Sequence, residues 1–223
     1  MFIRPELEIS RRNELAEKLR QITGWPGLKF DENGVLRPGN EGPAGGSPTA
    51  RSLLAEALSG RNVIILEDAS NSHDVVFCRV IKGRWKSGKE NLPPAYVVQI
   101  DFADFSHLTG DESALAAFNV GWGVMHEIEH VVHDSADAKR QGEAGECEEL
   151  INRMRRECGL AERSDYYFTL MPGATRSDFK TKFVRIAFER QTSQSKSKKR
   201  YWLIWDAEFV GGVDEQKLLA ARL

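Results

Sequence analysis

A His-Glu-x-x-His motif at His126-Glu127-Ile128-Glu129-His130 constrains this chain more than any other stretch. Residues four positions apart lie on the same face of a helix, so His126 and His130 would project side by side. Two imidazoles in that arrangement can bind one zinc ion, and Glu127 can accept a proton from water on that ion. The motif therefore predicts a metal centre with a general base beside it.

The segment around the motif predicts one long, largely buried helix. Thr109 and Glu112 have the spacing of a capping box, and no proline, lysine or arginine occurs from Thr109 to Asp134. Apolar residues recur at helical spacing along one side of this segment, at Ala117, Gly121, Val124, Ile128 and Val131. The opposite strip carries imidazoles and carboxylates where an exposed helix would carry Lys and Arg. We therefore expect this strip to face a site, with Gly123 leaving room for a ligand.

A zinc site of this kind needs a third protein ligand, and the nearest candidates fail. His133 lies about 10 Å along the helix axis from His126, which is too far for both to bind one ion. We expect His133 to support a ligand or to line the cleft instead. Ala136 and Arg140 occupy the positions at which other sites place a third histidine after a glycine turn, so that pattern is absent.

Three glutamates at the start of the next predicted helix are the remaining candidates: Glu146, Glu148 and Glu149. The buried side of this helix is defined by Cys147, Leu150, Ile151, Met154 and Cys158. Glu149 lies about 200° from Cys147 and should face solvent, whereas Glu148 lies about 100° from it, at the border of the buried side. We predict Glu148 as the third ligand, with Asn152 fixing a ligand or a neighbouring backbone. An acidic cluster that simply favours the helix start is the open alternative.

The rest of the chain predicts an α+β fold in one domain over residues 1–223. Helices are predicted at 11–22, 48–59 and 216–223, and strands at 62–66, 75–81, 96–102, 182–190 and 201–209. The basic loops 82–94 and 191–200 are interpreted as solvated hairpin tips. We expect a small mixed or antiparallel sheet packed on the buried motif helix, followed by a second ligand-bearing helix. The domain would comprise a helical and loop portion (1–60), a core (about 61–170) and a C-terminal β-hairpin (180–210).

Composition and charge indicate which kinds of partner and which cellular compartment to expect. The net charge is −2, which favours no nucleic-acid partner, and no apolar run is long enough to span a membrane. The N-terminus lacks the apolar core of a signal peptide, and three cysteines without a Cys-x-x-Cys spacing favour reduced thiols. We therefore expect a cytoplasmic protein, with secretion by a route without a cleaved signal left open. The oligomeric state is not predicted.

The histidine motif followed by a helical glutamate resembles the gluzincin branch of zinc metallopeptidases. The stretch from Glu148 to Tyr166 is similar to effector-type metallopeptidases, which occur as injected bacterial effectors and as toxin domains. The residues that carry this second resemblance are Glu148, Asn152, Arg153, Arg156, Gly159, Leu160, Arg163 and Tyr166. The resemblance covers about residues 115–167, and it implies a zincin-like fold with one Zn²⁺ and a peptide or protein substrate.

The same resemblance implies roles for particular residues. Glu127 would be the general base in peptide-bond hydrolysis, and Tyr166 or Tyr167 would donate to the oxyanion. The predicted strand 96–102 would offer an edge along which an extended peptide pairs. Two alternatives are a zinc hydrolase with a non-peptide substrate and a non-catalytic binding or regulatory protein that retains a zincin shell.

Overall fold

The computed structural model describes residues 1–70, 72–83, 92–171, 183–191 and 197–210, and their architecture is α+β, as predicted. The helices are α1 (Ile9–Thr23), α2 (Pro48–Ser59), α3 (Phe102–Ser106), α4 (Glu112–Ala117), α5 (Val120–His133) and α6 (Gly145–Glu157). The strands are β1 (Phe2–Ile3), β2 (Lys29–Phe30), β3 (Leu36–Arg37), β4 (Val63–Asp68), β5 (Cys78–Lys82), β6 (Ala95–Ile100), β7 (Thr109–Gly110), β8 (Glu162–Arg163), β9 (Thr169–Leu170), β10 (Phe183–Gln191) and β11 (Lys198–Asp206). Most of the basic loop 82–94, part of the loop 191–200 and the predicted helix 216–223 lie outside the described residues.

The first sheet has the strand order β1-β4-β6-β5. β1, β4 and β6 run parallel, and β5 pairs antiparallel with β6 at the margin of the sheet. The expectation that residues 96–102 offer a free edge is therefore wrong, because β6 is hydrogen-bonded on both sides. Its mostly buried side chains are typical of an inner strand, and β5 is the edge strand.

The second sheet is built on the predicted C-terminal hairpin. β10 and β11 pair antiparallel over nine residues each, from Phe183 opposite Asp206 to Gln191 opposite Lys198. The short strand β7 joins the outer side of β11, and β8 and β9 pair with β10. Both strands of the hairpin alternate buried and partly exposed residues over their central positions, which indicates that one face packs on the core.

The predicted long helix is in fact two helices. α4 ends at Ala117, and Asn119 adopts an extended conformation in which its side chain accepts a hydrogen bond from the Gly121 N–H and so caps α5. Thr109 is not a helix cap, because it lies in β7 and pairs with Ile204 of β11. The capping-box prediction was wrong because strand pairing with a distant segment overrides the local signal.

The helix α5 is buried, as its apolar stripe predicts. Its apolar side chains pack with α1, α2 and the first sheet in one hydrophobic cluster. A second cluster lies between α4 and the β10–β11 hairpin, with Phe77 and Phe118 among its members. Among the described residues, no helix combines the length and the hydropathy needed to cross a bilayer.

Candidate metal centre

The two motif histidines project from the same face of α5, as predicted from their spacing. Their ring centroids are 4.8 Å apart, and the Nε2 atoms of His126 and His130 are separated by 3.2 Å. Both rings are mostly buried, with 12% of the His126 side chain and 18% of the His130 side chain exposed. The two nitrogens therefore converge on one point beside the helix.

The turn that follows α5 brings a carboxylate to the same point. Asp134 ends the helix in the left-handed conformation, with φ 55° and ψ 28°. The chain then reverses, and Asp137 Oδ1 lies 3.1 Å from His126 Nε2 and 3.4 Å from His130 Nε2. We call these three atoms, His126 Nε2, His130 Nε2 and Asp137 Oδ1, the ligand triangle.

The sequence did not point to Asp137, because only a histidine after a glycine turn and a glutamate on the next helix were considered as third ligands. Aspartate also tolerates the left-handed conformation, so Asp134 performs the reversal that glycine performs elsewhere. The available signal was a carboxylate shortly after a residue that can end a helix in this way. Burial raises the pKa of Asp137, but hydrogen bonds from His126 and His130 outweigh burial and hold it well below its ordinary range.

A thiol completes the group that could hold a metal ion. Cys147 of α6 is buried, and its Sγ lies 3.3 Å from His126 Nδ1. Ligand atoms of His126, His130, Asp137 and Cys147 all lie within 4.8 Å of one another. This donor set suits a transition metal, because imidazole and thiolate are poor ligands for magnesium or calcium.

Glu148, the predicted third ligand, lies next to this group but does not belong to it. Its Oε2 is 3.4 Å from His126 Nδ1, the ring nitrogen opposite the ligand triangle. The carboxylate is 1% exposed and forms ion pairs with Arg155 and Arg163. Burial raises the pKa of Glu148, but the two arginines hold it well below its usual range. The other two candidate glutamates of this helix are exposed.

Asn152 holds the arginines that surround Glu148. Its amide donates to the Arg163 carbonyl at 2.8 Å and accepts the Arg163 N–H at 2.7 Å. Its oxygen also accepts from Arg155 Nη1 at 2.8 Å. Asn152 thus fixes a neighbouring backbone, which is one of the two roles that the sequence suggested.

Replacement of Glu148 by glutamine is expected to lower the free energy of unfolding by about 3–5 kcal/mol, because it leaves the charge of the buried Arg155 uncompensated. Urea unfolding of the metal-free protein measures this change. Glu149→Gln, at an exposed position of the same helix, is the matched control and should change stability by less than about 0.5 kcal/mol. Equal unfolding midpoints for the two variants would contradict the buried ion pair.

Glu127 lies at the border between the histidines and a cavity. Its side chain is buried, and burial raises the pKa of its carboxyl, although the neighbouring imidazoles and a hydrogen bond from the Val80 N–H oppose that shift. A buried carboxylate with a raised pKa is suited to accept a proton and return it. Val80 belongs to the edge strand β5, so Glu127 connects the motif helix to the margin of the first sheet.

The two candidate tyrosines differ in the groups that their hydroxyls face. Tyr166 stacks on His126 with ring centroids 6.0 Å apart, and its hydroxyl lies near enough to Asp137 for that carboxylate to raise its pKa. Tyr167 instead donates to the carbonyl of Ala138 at 2.8 Å. Burial and the charge of Asp137 raise the pKa of Tyr166, so its hydroxyl remains a donor at neutral pH. Tyr166 is therefore the tyrosine whose hydroxyl lies at the ligand triangle.

Gly123 does not leave room for a ligand, and His133 does not line the cavity. Gly123 lines the cavity, but a Cβ there would come within 2.9 Å of Cys78 Sγ and 3.0 Å of the Phe105 ring. The glycine thus permits close packing against α5 and does not leave an empty space for a ligand. His133 is 42% exposed at its side chain, is not among the cavity-lining residues, and is bonded to Glu129 and Glu56.

A cavity of about 760 Å³ opens beside His126 and Glu127. Aromatic side chains form much of its wall, and Glu148, Arg155 and Arg163 also line it; the aromatic residues include Phe77, Phe118, Phe168, Trp122 and Trp205. Phe77 adopts a left-handed conformation with φ 60°, and its N–H donates to Asp104 Oδ2 at 2.9 Å. Strained backbone of this kind occurs often at functional sites.

The chain matches no protein-family model, no curated protein and no solved structure. Its function therefore has to be inferred from the chemistry of the site. Two imidazoles and a carboxylate converge on one point, a buried glutamate lies beside them, and a cavity adjoins both. This arrangement can hold a metal ion and can move a proton next to a bound molecule.

Proposed function

We propose that this protein is a zinc-dependent metallopeptidase of the zincin type, with one Zn²⁺ held by His126, His130 and Asp137. The spacing of the ligand triangle carries this proposal. Its edges are 3.1, 3.2 and 3.4 Å. Tetrahedral zinc with bonds of about 2.0–2.1 Å needs ligand atoms about 3.3 Å apart, so the three atoms fit one face of such a site. Asp137 replaces Glu148 as the third ligand in this proposal.

The hydrogen bonds behind the imidazoles support the same assignment. His130 Nδ1 donates to the Ser135 carbonyl at 2.7 Å, which leaves the lone pair on Nε2 for a metal. His126 Nδ1 faces the Cys147 thiol and the Glu148 carboxylate. If Cys147 stays outside the ligand set, the metal would keep the open fourth position that catalytic zinc sites have.

The neighbouring side chains support hydrolysis. Zinc in such a site supplies a Lewis acid that activates water and polarises a carbonyl group. Glu127 would accept the proton of the attacking water and return it to the leaving amine. The Tyr166 hydroxyl would donate to the substrate oxygen as negative charge develops there. β5 is the outer strand of its sheet among the described residues, and the part of its edge not bonded to Glu127 would pair with an extended peptide.

One observation favours a second candidate, a zinc hydrolase with a non-peptide substrate. The cavity beside Glu127 measures about 760 Å³, and aromatic side chains form much of its wall. That volume is typical of sites for small molecules, which are about 300–1,000 Å³. The chemistry at the metal would be the same, and the substrate would occupy the cavity instead of the edge of β5.

Metal analysis and a peptide-library assay test the proposal together. The purified protein is expected to contain one zinc ion per chain and to cleave peptides. A chelator should abolish cleavage, and added zinc should restore it, because the ion is bound by three side chains and is removable. Zinc without peptide cleavage, combined with hydrolysis of small esters or amides, would favour the second candidate. A protein that binds no transition metal would overturn both.

A further inference from the structure

We infer that Glu129, inside the motif but outside the ligand triangle, is a positioning residue that sets the affinity for the metal. The inference rests on the proposed function, because it concerns the same metal centre. Glu129 would act through Ser135, which lies in the turn between α5 and Asp137. No property of the His-Glu-x-x-His spacing requires a carboxylate at this position, since it is one of the two variable residues.

Glu129 is a buried carboxylate with two specific partners. Its side chain is 3% exposed. Its Oε2 accepts from His133 Nδ1 at 2.8 Å, and its Oε1 accepts from the Ser135 hydroxyl at 2.8 Å. Among the described residues, no lysine or arginine pairs with it. Burial of a carboxylate is costly unless its partners are held in place, so this network has a defined geometry.

Ser135 links Glu129 directly to a proposed metal ligand. The Ser135 hydroxyl donates to Glu129, while the Ser135 carbonyl accepts from His130 Nδ1 at 2.7 Å. One side chain thus holds the residue whose backbone orients the His130 ring. Hydrogen bonds of this kind orient metal-binding imidazoles and make them better ligands.

The hydrogen bond between Glu129 and Ser135 also anchors the near side, next to α5, of the turn that carries Asp137. The far side is held by backbone contacts, from the Cys147 N–H to the Ala136 carbonyl at 3.3 Å and between Asp137 and Gly145. The near side begins at Asp134 in its left-handed conformation, and Ser135 follows it. Loss of the Glu129–Ser135 bond would therefore loosen both His130 and the approach to Asp137.

The chain offers a matched control for this network. Glu56 of α2 contacts His133 Nε2 at 3.1 Å, on the side of the ring that faces away from Glu129. Its side chain is 51% exposed. Glu56→Gln removes the charge of the outer partner of His133 and leaves the Glu129–Ser135 bond intact. If Glu129 acts through Ser135, substitution of Glu129 should lower the zinc affinity and substitution of Glu56 should not.

The test measures zinc affinity by competition with a chelator. Ser135→Ala and Glu129→Ala should each weaken zinc binding by about 10–100-fold, as expected for groups that support metal ligands. The double variant should bind no more weakly than the weaker single variant, because both changes remove one bond. Ser135→Thr, which keeps the hydroxyl, should keep the zinc affinity of the parent protein. Glu56→Gln should change that affinity by less than about twofold. Thermal unfolding of each metal-free variant shows whether a loss of zinc affinity comes from an unfolded protein.

Amide hydrogen exchange of residues 134–138 in the metal-free protein is the second measurement. Exchange should become faster in Ser135→Ala and Glu129→Ala and should be unchanged in Glu56→Gln. Unchanged zinc affinity in Ser135→Ala, or an equal loss in Glu56→Gln, would overturn the inference. A parent protein that binds no zinc would overturn the proposed function instead, and the exchange rates would then decide alone whether Glu129 holds the turn.

Discussion

Glu127→Gln is expected to leave the zinc content unchanged and to lower peptide hydrolysis by about 10²–10⁴-fold, the usual contribution of a general base. Glutamine preserves the shape of the side chain but cannot take a proton from water. Glu127 lies outside the ligand triangle, so the metal should still bind. Elemental analysis and a fluorogenic peptide assay on the same sample measure both quantities.

Glu146→Gln provides the control for this substitution. Glu146 is an exposed glutamate at the start of α6, so its replacement should change neither zinc content nor turnover. Hydrolysis by Glu127→Gln at the parental rate would show that the base is another residue. Loss of zinc from Glu127→Gln would show instead that its carboxylate contributes to metal binding.

Asp137→Ala is expected to weaken zinc binding by more than the factor of about 10–100 that follows loss of a supporting group. The substitution removes one of the three proposed ligands, and catalytic zinc sites have three protein ligands. Glu148→Gln should stay within that factor, because Glu148 contacts the back of His126 and not the triangle. Titration with zinc against a chelator compares the two variants directly.

Asp134→Asn is the control for the Asp137 substitution. Asparagine also adopts the left-handed conformation that Asp134 has at the end of α5, so the turn should persist. Its zinc affinity should match that of the parent protein. If Glu148→Gln lost zinc and Asp137→Ala retained it, the ligand assignment made from sequence would be right and the one proposed from the structure would be wrong.

The proposed site lies where several elements meet. α5 supplies the two imidazoles and Glu127, and the turn after it supplies Asp137. The edge strand β5 reaches Glu127 through Val80, and the aromatic cavity adjoins both. An ion held by these three side chains would therefore lie beside the cavity and close to β5, the outer strand of the first sheet in the described part of the chain.

Local sequence signals predicted much of the site. The four-residue spacing placed His126 and His130 on one face, and the apolar stripe predicted that α5 is buried. The helix predicted at 48–59 matches α2, and the Ser47 hydroxyl before it accepts the Ala50 N–H. Such features depend on neighbouring residues in one element, so periodicity and capping chemistry are sufficient to find them.

Contacts between distant segments decided the rest. Pairing of Thr109 with β11 separated α4 from α5, and β6 became an inner strand because β5 pairs with its other side. Glu148 lies at the predicted border of its helix, but Arg155 and Arg163 bind its carboxylate. Asp137 reaches the histidines through one left-handed residue. A helical pattern indicates which face of the helix a side chain occupies. The partners of that side chain depend on where distant segments of the chain turn back towards the helix, and only tertiary packing determines this.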